Sequence, residues 1–300
     1  MIKVIASLII ASLFFPTGAN FLTDQPVDFS YPIQTNSAVT TPTRIINDSL
    51  GIKTTASSVL VVDQNSQAIL YQKNINTAQS IASITKLLTA LTFLDHNPGF
   101  DQTFTLDAQD QRAGGLVNLW PGEQVIIKDL FYLTLVSSTN EAAAALARST
   151  GLKDFSDAMN AKAKELGIKD SYFVDPTGLD PANVSTPLDL SLLVNAAFAN
   201  SEIVQAVKND SYRFKVINNG RVGLAQATDK LLGSFIDQGE YKIIGAKTGY
   251  LDEAGYCLVM AVERVDGVKL SIILLNAGSQ VDRWQEAKGL VDWTFSNYQW

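Results

Sequence analysis

The chain of 300 residues predicts an α+β fold, and three observations carry that expectation. The hydropathy period runs at two, then at 3.6, then at two again, in the order strand pair, helices, strand triplet, helix. Strands at both ends of such an order share one antiparallel sheet flanked by helices, and the middle forms an inserted, mainly helical lobe, here over roughly residues 95–210. Apolar residues make up 46% and charged residues 18%, enough for a sizeable core and too apolar for disorder over most of the length.

The elements follow in order. Lys3 is the only charged residue before Asp24, Val4 to Phe15 is apolar or small, and Pro16, Thr17, Gly18 and Ala19 follow. That layout predicts an export signal over residues 1–19, with Thr17 and Ala19 at −3 and −1 of a cleavage site. An uncleaved anchor reaching Phe21 is the alternative, and either places the body outside the cytoplasm. Residues 20–50, rich in Thr, Pro, Asn and Ser, read as a flexible leader before a folded body over 51–300. Ser57 to Val62 and Gln67 to Tyr71 make a hairpin around Asp63-Gln64-Asn65-Ser66. Ile81 to Leu94 takes the helical period, and Pro98-Gly99 stops it. Ile126 to Val136, Glu141 to Arg148 and Asp154 to Leu166 are three further helices. Thr186-Pro187-Leu188-Asp189 opens another, with Thr186 as cap and Asp189 reaching back. Tyr241 to Thr248, Gly255 to Val265 and Val268 to Asn276 are three successive strands, the last two joined at Asp266-Gly267. Arg283 to Phe295 closes the chain as a helix.

Composition narrows the chemistry. The net charge is −7 and no basic run stands out, which argues against a nucleic-acid partner. One cysteine, Cys257, excludes an internal disulfide and any cysteine-built zinc site, and removes the lipoprotein route. One histidine, His96, excludes a His-rich metal site and leaves one candidate for a Ser-His-Asp triad. It falls at a helix end beside Asp95, where a solvated histidine is the ordinary explanation. Chemistry therefore rests on Ser, Lys, Asp, Glu or Tyr, with no metal and no cofactor expected.

Three short motifs offer such chemistry. Ser83-Ile84-Thr85-Lys86 puts a hydroxyl and an amine on one helix face, and lysine kept neutral can serve as the base a serine nucleophile needs. Ser138-Thr139-Asn140 falls between two helices, where Ser138 can relay a proton and Asn140 can hold a substrate amide. Lys247-Thr248-Gly249 lies on a strand, where the first two side chains can hold a carboxylate and Gly249 leaves room for an extended peptide at the sheet edge. Each is weak alone. Together, in this order and separated by 55 and 109 residues, they match the Ser-x-x-Lys, Ser-Asp-Asn, Lys-Thr-Gly set of class A β-lactamases and penicillin-binding proteins, with Thr139 replacing Asp.

At these residues the chain resembles the low-molecular-mass penicillin-binding proteins, the serine D-alanyl-D-alanine carboxypeptidases. Ile81 to Ala90, Asp175-Pro176-Thr177-Gly178-Leu179, Ser185 to Leu190 and Gly245 to Val259 extend the likeness, which runs from about Ser57 to the end. The resemblance implies the β-lactamase/transpeptidase-like fold and acyl transfer on peptidoglycan stem peptides ending in D-Ala-D-Ala. It implies Ser83 as nucleophile, Lys86 as base, Ser138 with Asn140 as relay and amide anchor, and Lys247 with Thr248 as carboxylate site. It places the oxyanion on the backbone N–H groups of Ser83 and Tyr250, gives Arg283 a share of the carboxylate, and makes β-lactams inhibitors acylating Ser83. Many members continue into a β-rich domain and an amphipathic membrane helix, which do not follow here, so attachment to a membrane is expected only through the first residues. Short members include D,D-endopeptidases, so the choice of bond stays open. A class A β-lactamase comes next, without a Glu-x-x-Leu-Asn loop to drive deacylation, then a non-catalytic penicillin-binding sensor. Trp120 and Tyr250 are candidates for the cleft wall, although Trp120 equally suits a packed loop anchor.

Overall fold

The computed structural model describes residues 40–112 and 114–300; the expected export signal and most of the leader lie outside them. A five-stranded antiparallel sheet forms the centre. Its strands are β1 (Ser58–Asp63), β2 (Ile69–Lys73), β3 (Tyr241–Leu251), β4 (Gly255–Arg264) and β5 (Lys269–Ala277), in spatial order β3-β4-β5-β1-β2. The N-terminal hairpin thus joins the C-terminal triplet through β1 and β5, with Leu274 opposite Val59. β3 is an outer strand, carrying Lys247-Thr248-Gly249 along one margin of the sheet.

The sheet is covered on both faces, which is why β1 is buried at every position. Alternate residues Val59, Val61, Leu258, Met260, Ile272 and Leu274 pack against α7 (Gln280–Asn297). Leu60, Val62, Val259, Ala261 and Ile273 face the helices between the strands. These are α1 (Lys86–Asp95), α2 (Ile127–Val136), α3 (Asn140–Ser149), α4 (Phe155–Glu165), α5 (Pro187–Ala199) and α6 (Ser201–Val207). Phe93, Phe100 and Phe131 cluster inside this layer, with ring centroids 5.4 to 6.0 Å apart.

The polar stretch after α6, for which no regular element was expected, forms a hairpin of Ser211–Lys215 with Val222–Gln226. Only alternate positions such as Phe214 and Ala225 are buried, too few for a clear apolar run. The reciprocal cap expected before α5 is half made. Thr186 Oγ1 accepts the Asp189 N–H at 3.2 Å, but the Asp189 carboxylate turns away to the N–H groups of Lys169 and Asp170 and the Ser171 hydroxyl. The flexible leader expected over 20–50 is also cut short. Thr43–Arg44 pairs with Tyr298–Gln299 beyond α7, and Trp293 Nε1 donates to Ser49 Oγ at 3.0 Å.

Candidate active site

The Ser-x-x-Lys segment begins differently from the continuous helix expected. Ala82–Thr85 forms a tighter 3-10 turn before α1, entered with Ala82 at a φ of +48°. Two glycines let neighbouring backbone close on this turn. A Cβ on Gly249 of β3 would stand 2.6 Å from the Ile81 carbonyl oxygen, and one on Gly178 2.1 Å from that of Ala82. Ser83 is therefore gripped between the outer strand and the Asp175-Pro176-Thr177-Gly178 loop. Gly249, expected to make room for a peptide at the sheet edge, is required by the nucleophile turn itself.

Lys86 is fully buried. Its Nζ lies 2.9 Å from Ser83 Oγ and donates to Asn140 Oδ1 at 2.7 Å and to the Thr177 carbonyl at 2.5 Å. Burial disfavours the ammonium and lowers the amine to about 7, while the charges of Asp175 and Glu141 work in the opposite direction. A lysine in this condition is unprotonated for much of the time near neutral pH, so it can accept the proton of the adjacent hydroxyl.

Ser138 sits between α2 and α3 with a φ of +59°, an uncommon conformation for a residue with a side chain. Its Oγ accepts from Lys247 Nζ at 2.8 Å. No direct hydrogen bond joins Ser138 to Lys86 among the described residues. With an oxygen lone pair occupied by Lys247, the Ser138 proton is free to point elsewhere. Asn140 uses Oδ1 on Lys86 and donates from Nδ2 to the Gly114 carbonyl at 3.0 Å, so it ties loop 114–120 to the base. Thr139, standing where the motif has Asp, is buried and accepts from Asn118 Nδ2 at 2.7 Å.

Lys247 is nearly inaccessible, and its amine lies well below the ordinary lysine range, through burial first and then the charges of Lys86 and Arg283. Thr248 Oγ1 meets Thr228 Oγ1 at 3.1 Å. Arg283, on the first turns of α7, reaches the margin of β3, where Nη1 donates to the carbonyls of Gly249 (3.2 Å) and Cys257 (3.3 Å). Its guanidinium lies over Trp284, and burial lowers it to about 10. Lys247, Thr248 and Arg283 thus gather along one stretch of β3, a set of donors of the kind that takes a carboxylate. Tyr250 is half exposed next along that strand, its ring 4.5 Å from Tyr256. Trp120 is equally exposed, with Arg221 over its ring at 4.5 Å and Glu123 holding Arg221 from below.

All the residues singled out from the motifs meet in this region, and His96 stays exposed at the end of α1. Cys257 is a core residue whose thiol burial pushes up to about 11. Glu141, Asp175, Thr177 and Thr228 were not assigned roles from the sequence. Only the Asp-Pro-Thr-Gly turn carried a local signal for any of them. Among the described residues, no group of three or more His, Cys, Asp or Glu side chains is placed to hold a metal ion.

The sequence profile of the D-alanyl-D-alanine carboxypeptidase family, peptidase S11, matches residues 43–279. The chain belongs to this family. It is 32% identical over 251 residues to the D-alanyl-D-alanine endopeptidase of Pseudomonas aeruginosa, covering 79% of this chain and 76% of that one. It is also 32% identical to the D-alanyl-D-alanine carboxypeptidase DacB2 of Mycobacterium tuberculosis, covering 80% and 82%. Among solved structures, penicillin-binding protein D2 of Listeria monocytogenes in its cefotaxime-bound form superposes with a TM-score of 0.71 at 29% identity, over 82% of this chain and 100% of that one. The fold, the low-molecular-mass penicillin-binding class and the hydrolase character follow from this membership.

Proposed function

We propose that this family member removes the terminal D-alanine from peptidoglycan stem peptides ending in D-Ala-D-Ala. Ser83 attacks the carbonyl of the last peptide bond while Lys86 takes its proton. The carbon–nitrogen bond breaks, the leaving amine of D-alanine takes a proton delivered through Ser138, and the acyl group stays on Ser83 Oγ. Water, deprotonated by Lys86, then releases the shortened peptide and restores Ser83. Lys247, Thr248 and Arg283 hold the terminal carboxylate, Asn140 the substrate amide, and the N–H groups of Ser83 and Tyr250 the oxyanion. One observation carries the reading: the amine of Lys86, brought to about 7 by burial, lies 2.9 Å from a serine hydroxyl. β-Lactams acylate the same serine, a reading supported by the cefotaxime-bound Listeria relative.

A D,D-endopeptidase cutting cross-links is the second reading, favoured by the name of the Pseudomonas relative. It uses the same residues and differs in the amine that leaves. Release of free D-alanine from a pentapeptide supports the first, and opening of cross-linked dimers without it supports the second. We place the enzyme outside the cytoplasm on the signal-like layout of residues 1–19, a segment that tethers it to a membrane if left uncleaved, and propose that it works without metal.

Intact mass followed after mixing with benzylpenicillin tests the assignment. A lasting adduct is expected in the protein and not in Ser83→Ala. Labelling retained by that variant would remove Ser83 from its role, and rapid penicillin consumption without an adduct would point to a β-lactamase.

A further inference from the structure

Two carboxylates, one buried and one half-buried, act on Lys86 through their charge without bonding to it. Glu141, 1% exposed, follows the Ser138-Thr139-Asn140 triplet. Its Oε1 accepts the N–H groups of Asn118 at 2.6 Å and Leu119 at 3.1 Å. Asp175 opens the Asp-Pro-Thr-Gly turn. Its Oδ1 accepts from the N–H and hydroxyl of Thr177 and from the Gly178 N–H, and its Oδ2 from Asp180 N–H and Asn183 Nδ2, both at 3.0 Å. Each is chained to an oxygen that Lys86 uses. Glu141 adjoins Asn140, and Asp175 shapes the turn that presents the Thr177 carbonyl.

These bonds fix the negative charges where they are, so neither collapses onto the amine as an ion pair. An ion pair would hold the ammonium and suppress its use as a base. A site with burial alone would leave too weak a base. The titratable groups facing Lys86 are therefore Asp175 from its loop and Glu141 from α3, which favour its protonation, and Lys247 from β3, whose own amine is held well below the lysine range by burial and by the charge of Lys86. We propose that Glu141 and Asp175 are positioning residues for the acyl transfer, two backbone-anchored carboxylates that keep Lys86 basic enough to take the Ser83 proton. This rests on the reading of Lys86 as the base and adds what sets its strength.

The pH dependence of acylation by benzylpenicillin, as a second-order rate constant from intact mass, tests it. Glu141→Gln keeps an amide oxygen for the N–H groups of Asn118 and Leu119 and removes only the charge. Its rising limb is expected to move to lower pH by roughly 0.5–1 unit, with a lower plateau from the weaker base. Glu141→Asp, which keeps the charge, is expected to bring the limb back even if its plateau suffers. A limb that does not move in Glu141→Gln overturns the proposal. If that variant does not fold, Asp175→Asn read in the same way is expected to move the limb in the same direction, and an unmoved limb there overturns it equally. Lys86→Ala separates the two layers. Acylation undiminished in Lys86→Ala would sink the base assignment itself, whereas acylation lost there with an unmoved Glu141→Gln limb would sink only the role of the carboxylates.

Discussion

Lys86 shows what a reactive residue costs the fold. A fully buried ammonium loses its hydration, and its hydrogen bonds to Asn140 Oδ1 and the Thr177 carbonyl replace only part of it. Its amine falls from 10.5 to about 7 on folding, so the unfolded chain binds this proton more tightly. The penalty is full below about 7 and fades as the pH rises toward 10.5, where the unfolded chain also loses the proton. Lys86→Met is therefore expected to gain about 1–3 kcal/mol of unfolding free energy near pH 6, after the lost hydrogen bonds are counted. Urea unfolding curves should show that gain shrinking with rising pH. A variant less stable than the parent near pH 6 would mean that the bonds to Lys86 outweigh its desolvation. The motif residues were legible because their spacing along the chain is itself the signal: Ser83 and Lys86 are neighbours on one helical face. Glu141 and Asp175 carry no such spacing relative to Lys86, and their charges become relevant only when α3 and the 175–180 loop pack beside α1.

At the scale of elements, the site depends on strand β3 lying against the 3-10 turn at Ala82–Thr85. Gly249 permits that approach, since any side chain there meets the backbone oxygen of Ile81, which cannot swing aside as the tip of a flexible side chain can. Gly249→Ala is expected to push β3 and the turn apart by a few tenths of an ångström or more. Displacing the Ser83 turn from β3 by that much should slow acylation by on the order of tenfold. The strain of about 1–3 kcal/mol would lower the Tm by only several degrees. Acylation within threefold of the parent would show that the close approach does not shape the reaction. Element types came through in the sequence because long apolar periods decide them, as in α2 and β4. Local hydrogen-bond choices did not, because a tertiary partner competes. Asp189 has the spacing of a reciprocal cap, yet Lys169, Asp170 and Ser171 offer it three donors from another loop.

At the scale of the whole molecule, the sheet separates two tasks. The face toward α1 and α5 carries the site, and the opposite face is sealed by α7, whose far end is bound by the segment before β1. That segment shows no apolar period, so it read as leader; its attachment comes from single residues. Arg44 lies 5.5 Å from the centre of the Trp293 ring, Asn47 Nδ2 donates to Asn297 Oδ1 at 3.0 Å, and the Ile45 N–H donates to the Asn297 carbonyl at 2.9 Å. Beyond it, Tyr298 donates to the Leu70 carbonyl at 2.6 Å and Trp300 to Asp63 Oδ2 at 2.8 Å, so residues 43–49, the segment after α7 and the β1–β2 hairpin form one bonded cluster. A chain beginning at residue 51 loses the outer part of that cluster and keeps the whole site. Against a chain beginning at residue 40, it is expected to melt lower by about 4–10 °C, the equivalent of about 2–3 kcal/mol in a body of this size. Its acylation by benzylpenicillin is expected to stay within twofold, because every group around Ser83 is supplied from residue 81 onward. Calorimetry and intact mass on the pair read both quantities. Equal melting would show that residues 43–49 rest on α7 without stabilising it, and a large fall in acylation would mean that α7 transmits the change to Arg283 and the margin of β3.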